Sequence, residues 1–114
     1  MSELVNSSCE ACRVDSPRVV DSETESYLRE LPQWKIADIS GVVQLKRCFT
    51  FKNFVEAMAF SVAVGEVAEA ESHHPAMLIE WGRVDISWWT HKIHGLHKND
   101  FVMAAKTDAI YCDN

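Results

Sequence analysis

The run from Asn53 to about Glu71 repeats apolar side chains at helical spacing, and Pro75 forbids it to continue. Phe54, Ala57, Met58, Val62 and Ala68 fall near the 3.6-residue period, with Glu56, Glu66 and Glu69 at polar positions. Ala59, Ser61, Ala63 and Gly65 are small enough to allow close packing. The pyrrolidine ring of Pro75 crowds the backbone before it, so His74 is pushed towards an extended conformation. A long helix followed by a forced elbow therefore divides the chain.

On either side of this helix lies a pair of segments that alternate with a period of two. Trp34 to Ile39 and Val42 to Phe49 are separated by Ser40-Gly41, a hairpin turn. Met77 to Trp81 and Arg83 to about His91 are separated by Gly82. In the last of these, Val84, Ile86, Trp88 and Thr90 share one parity, while Asp85, Ser87, Trp89 and His91 share the other. Asp21 or Ser22 can cap a short helix to about Leu31, stopped by Pro32, and a final helix runs from about Lys98 to Ile110 after Gly95. The order α-β-β-α-β-β-α predicts an α+β domain: a four-stranded antiparallel sheet with helices packed on one face. Residues 1–20 show no sustained period and read as a flexible arm, leaving 21–114 as a single domain.

A chain of 114 residues with a net charge of −6 excludes several functions. The acidic field repels phosphate backbones, and no Lys/Arg block interleaves with aromatics, so no nucleic-acid partner is expected. No apolar run approaches the ~20 residues that span a bilayer. The first residues lack the basic and then apolar pattern of a secretory signal, so a cytoplasmic location is expected. Cys9 and Cys12 form a C-x-x-C without a second pair or a preceding strand, which reads as reduced thiols in a loose tail rather than a zinc or redox site.

All five histidines, His73, His74, His91, His94 and His97, fall within one stretch of sequence. Imidazole donates or accepts protons near neutral pH. His73 and His74 occupy the elbow, and His91 the end of a strand expected to neighbour the one that follows it, so elbow and strand end can line one cleft. His94 and His97 read as solvated loop residues, because Gly95 breaks the continuous helix that a His-x-x-His ligand set would need. Trp81, Trp88 and Trp89 read as core or interface aromatics, and Asp85 as a solvated carboxylate.

Taken together, Glu69-x-x-x-His73-His74-Pro75, Trp81, Val84-x-Ile86, Thr90-His91, Gly95-Leu96 and Asp100 resemble the pterin-4a-carbinolamine dehydratases. Trp34 and Phe51-Lys52-Asn53-Phe54 fit the same pattern, and the resemblance spans about Tyr27 to Ile110. Trp88-Trp89 and the Cys9-x-x-Cys12 arm bring the chain nearest to bacterial members associated with phenylalanine hydroxylase. The resemblance implies a hydro-lyase that removes water from 4a-hydroxytetrahydropterin to give the quinonoid dihydropterin, with no metal and no cofactor beyond the pterin substrate. It implies His73, His74 and His91 as the acid–base set, with His73 and His91 serving the departing hydroxyl and His74 orienting substrate or acting as complementary base. Glu69, Trp34, Pro75, Thr90 and Asp100 are implied as substrate-binding or orienting residues, Asp100 by fixing the His91 loop and its tautomer. A homodimer or homotetramer, and functional coupling to phenylalanine hydroxylase, follow from the same likeness. The chain departs from the family pattern at Met77, at His97 where a Ser or Thr helix cap is usual, and at Asn99.

Overall fold

The computed structural model describes residues 4–7, 9 and 19–112. Helix α1 is Asp21–Arg29, α2 is Phe54–Ala70 and α3 is Lys98–Cys112. Strands β1 (Lys35–Ile39), β2 (Val42–Thr50), β3 (Ala76–Glu80) and β4 (Arg83–Trp88) form one antiparallel sheet in the order β1-β2-β4-β3. Among the described residues this is the α+β arrangement expected from the periodicity.

Local chemistry sets the element ends. Ser40 and Gly41 both have positive φ, at 54° and 83°, as a two-residue hairpin turn between Ile39 and Val42 requires. Asn53 caps α2 by accepting the Glu56 amide at 2.9 Å. At the other end, Ser72 takes the left-handed conformation (φ 53°), Ser72 N–H donates to the Glu69 carbonyl and His73 N–H to that of Ala68. These paired bonds are the Schellman closure of a helix, with serine in the place glycine usually fills.

The helices cover one face of the sheet. Leu45, Phe49, Val84, Ile86 and Trp88 point into them and are all at most 1% exposed. Phe60, Val64 and Ala68 of α2 and Phe101, Val102 and Ala104 of α3 complete the core. The buried stripe of α2 differs from the sequence expectation: Ala57, Phe60, Ser61, Val64 and Ala68 face inward, while Phe54, Met58 and Val62 are exposed. The helix is apolar almost all round, so spacing alone does not select the inward face.

One further boundary shifts. β4 ends at Trp88, because Thr90 turns back to donate its amide to Gly95 at 2.8 Å, and residues 91–93 form a 3-10 turn. Of the arm, residues 4–7, 9, 19 and 20 are described; Leu4 is buried in the core and Lys106 donates to the Val5 carbonyl at 2.9 Å. Cys12 lies outside the described residues. No described helix is long and apolar enough to cross a membrane.

Candidate active site

Asp100 organises the histidine region. It is fully buried in the first turn of α3. Its Oδ1 lies 2.7 Å from Nε2 of His73, and its Oδ2 accepts the Thr90 hydroxyl and the His97 amide, both at 2.9 Å. A carboxylate only accepts, so Nε2 of His73 carries the proton, and in the neutral ring the lone pair falls on Nδ1. The His73 side chain is 9% exposed, and its ring stacks on Trp88 with planes 5° apart and centroids 5.8 Å apart. The ring is thus fixed at one edge by a carboxylate and on one face by an indole.

The loop opposite is tied to the same carboxylate. Thr90, immediately before His91, is buried and donates its hydroxyl to Asp100; the imidazole bonded to Asp100 is that of His73 rather than His91. The His91 ring is exposed and rests 4.5 Å from Trp89. His97 is not solvated. It is 4% exposed, and its Nδ1 accepts the Asn99 amide at 3.0 Å while Asp100 accepts the His97 amide. This is a capping box built from histidine and aspartate, so the imidazole does the work of the usual hydroxyl. His94 is exposed, with φ of 50°.

A second carboxylate–imidazole pair sits on the outside of the elbow. Nε2 of His74 lies 2.8 Å from Oε1 of Glu69, with side chains 62% and 82% exposed. The helix persists through Ala70, which puts Glu69 one turn before the elbow. Pro75 is half-buried and leads directly into β3.

Trp34 is not joined to this network. It is buried, its indole N–H donates to Oδ1 of Asp108 at 2.9 Å, and its ring meets Phe49 edge-on. Asp108 lies two turns beyond Asp100 on α3, roughly 12 Å along the axis. There it also receives Arg47 at 2.6 Å, whose guanidinium covers the Phe49 ring at 4.3 Å. Burial raises the Asp108 pKa above its ordinary value in spite of the Trp34 and Arg47 contacts.

Sequence reasoning passed over Trp88 as a partner for His73, although its strand parity with Thr90 already placed both on one face. It also expected His97 in solvent, although the resemblance puts that residue at the cap position of α3. A concavity of about 830 Å³ lined by Thr50, Phe51, Lys52, Glu56, Ala59 and Tyr111 contains no histidine. Among the described residues, no group of three or more His, Cys, Asp or Glu side chains is arranged to hold a metal ion.

The fold and these anchored imidazoles define a small α+β protein whose polar centre is a buried aspartate joining a helix elbow to a loop. The chain belongs to the family of pterin 4 alpha carbinolamine dehydratases, whose model matches residues 17–110. Family and relatives make it a hydro-lyase. A protein of Saccharophagus degradans provisionally designated a pterin-4-alpha-carbinolamine dehydratase is 57% identical over 111 residues, 97% of this chain and 98% of the relative. One of Marinobacter nauticus with the same designation is 54% identical, over 97% of this chain and all of the relative. Among solved structures, a transcriptional coactivator/pterin dehydratase from Brucella melitensis superposes with a TM-score of 0.74 at 34% identity, covering 82% of this chain and 98% of the other. A pterin dehydratase-like RuBisCO assembly factor of the alpha-carboxysome, at 21% identity and a TM-score of 0.60, covers 69% of this chain and 89% of its own and shares the fold.

Proposed function

We propose that the chain dehydrates 4a-hydroxytetrahydrobiopterin by histidine acid–base catalysis, recycling the pterin used in aromatic amino acid hydroxylation. The C4a–O bond breaks as an imidazolium protonates the departing hydroxyl, the N5 proton passes to a base, and a C4a=N5 bond forms. The products are water and the quinonoid dihydropterin, with no net redox change and no cofactor. General acid–base assistance of this kind is typically worth ~10²–10⁴-fold.

The observation that carries this reading is the pair of carboxylate-bonded imidazoles at one elbow, one buried and one exposed. His74, backed by Glu69, and His91 are open to a substrate, and we assign them the proton transfers. His73 completes the set with Nδ1, its ring oriented by Asp100, Trp88 and, through Asp100, Thr90. Pro75 fixes the direction in which the elbow leaves. Trp34 contributes at a distance, by holding the start of β1 to α3 through Asp108.

The test is loss of 4a-hydroxypterin absorbance in an assay coupled to an aromatic amino acid hydroxylase. His74→Ala and His91→Ala each reduce the rate by ~10²-fold or more while circular dichroism is unchanged. Wild-type rates in both variants would remove the assignment.

We also infer a homo-oligomer, dimer or tetramer, acting in the cytoplasm beside phenylalanine hydroxylase. Phe54, Val55, Met58 and Val62 leave an apolar stripe on the outer side of α2, which supports association. Light scattering decides the state. The coactivator designation of the Brucella relative motivates a second reading, a scaffold that binds a regulator. Partner capture indifferent to His74→Ala and His91→Ala would favour it.

A further inference from the structure

The last turn of α2 is built against its own dipole. The carbonyl end of a helix is partially negative and favours cations. Here no basic residue falls in the last turn, Glu69 lies within it and Glu71 is the C-cap. Glu69 is matched by His74. Glu71, two residues before His73, is half-buried, and its Oε1 accepts the backbone N–H of Cys9 at 2.7 Å across 62 residues of sequence.

The segment that delivers Cys9 is anchored. Leu4 is 3% exposed in the core, and Lys106 holds the Val5 carbonyl. At the far end of the arm, Val19 donates its amide to the Leu96 carbonyl at 3.0 Å. Leu96 stands between Gly95, which accepts the Thr90 amide, and His97, whose amide is held by Asp100. The two described ends of the arm therefore grip the two segments that Asp100 joins: the His73-His74 elbow and the loop of residues 90–97.

We propose that Glu71 is a positioning residue for the dehydration, fixing the elbow by clasping the N-terminal arm at Cys9. The elbow has reason to need it. Ser72 holds a left-handed backbone, which for a residue with a Cβ lies about 1–2 kcal/mol above the ordinary helix. The clasp restrains the residue on the helix side of that strained link, and Asp100 restrains the residue beyond it. The inference rests on the acid–base reading of the histidines, and its test separates the two.

Full-length Glu71→Ala and Glu71→Gln are compared with wild type, the glutamine keeping a side-chain carbonyl to accept the Cys9 amide. Glu71→Ala lowers kcat about tenfold, the scale of a small misplacement of reacting groups, with KM and thermal midpoint little changed. Glu71→Gln restores the rate. Leu4→Asp, which undocks the arm, gives a similar fall, and the double variant is no slower than either single one. Independently of activity, Glu71→Ala shifts the ring ¹⁵N signals of His73 and His74. Unmoved ring signals, a wild-type kcat in Glu71→Ala, or a glutamine variant as slow as the alanine one overturns the proposal. Moved signals and a reduced rate in Glu71→Ala, beside wild-type rates in His74→Ala and His91→Ala, leave the clasp standing and remove the acid–base assignment instead.

Discussion

Nε2 of His73 meets Oδ1 of Asp100 at 2.7 Å across 27 residues of sequence, and that contact joins the elbow after α2 to the first turn of α3. The other oxygen of Asp100 serves Thr90 and His97, so one carboxylate accepts three hydrogen bonds with no exposure to solvent.

Asp100→Asn therefore damages fold and chemistry together. The amide must turn its NH2 either towards His73, whose ring then has to switch tautomer to accept it, or towards the Oδ2 side, where the His97 N–H loses its acceptor. A loss of roughly 1.5–3 kcal/mol in urea unfolding is expected, the range for hydrogen bonds to a charged group. The His73 tautomer is no longer imposed, so kcat falls by about 10²-fold in the coupled assay.

Ser72→Gly has the opposite effect on stability. The variant removes the Cβ from a left-handed position, a relief of about 1–2 kcal/mol, against roughly 0.5–1 kcal/mol of added chain entropy in the unfolded state. A net gain of about 0.5–1 kcal/mol is expected in denaturant titration.

Asp108 gives a pH dependence with a definite sign. Burial raises its pKa above the ordinary 3.8, so the folded protein holds this proton more tightly than the unfolded chain does. Its contribution to stability is greatest below 3.8 and declines as pH rises through the folded value. Asp108→Asn keeps an acceptor for Trp34 but does not titrate. The stability of wild type relative to this variant should therefore increase on acidification, measured by urea unfolding from neutral pH downwards, where effects of the shared carboxylates cancel.

On the uncovered face of the sheet, Cys48 stands opposite Asp85 in the β2–β4 register. Burial and the neighbouring Asp85 raise the thiol pKa, with Arg83 opposing. Asp85→Asn should lower it and speed alkylation of Cys48 at mildly alkaline pH, read by peptide mass spectrometry; an unchanged rate would contradict the assignment.

The features legible in the sequence were those set by local rules. Period and turn chemistry fixed four strands and three helices, and Pro75 marked the elbow. Parity placed Val84, Ile86, Trp88 and Thr90 together, and all four are buried. What escaped depended on partners far along the chain. The inward face of α2 was obscured because Phe54, Met58 and Val62 are as apolar as the residues that pack. The burial of His97 was hidden because an imidazole rarely caps a helix. Asp100 stood out only through the family pattern, and which histidine it holds is decided by how α3 lies against the elbow. The Cys9–Glu71 contact bridges a segment with no periodicity to read.

The two carboxylate–imidazole pairs differ in how freely chemistry can be altered there. Asp100 is woven into three backbone segments, so no substitution at 100 changes proton affinity without also loosening the domain. Glu69 and His74 stand in water on the helix end, each bonded to the other and to little else. Under the proposed assignment, substitutions at 69 and 74 therefore act on the proton transfers and leave the architecture intact.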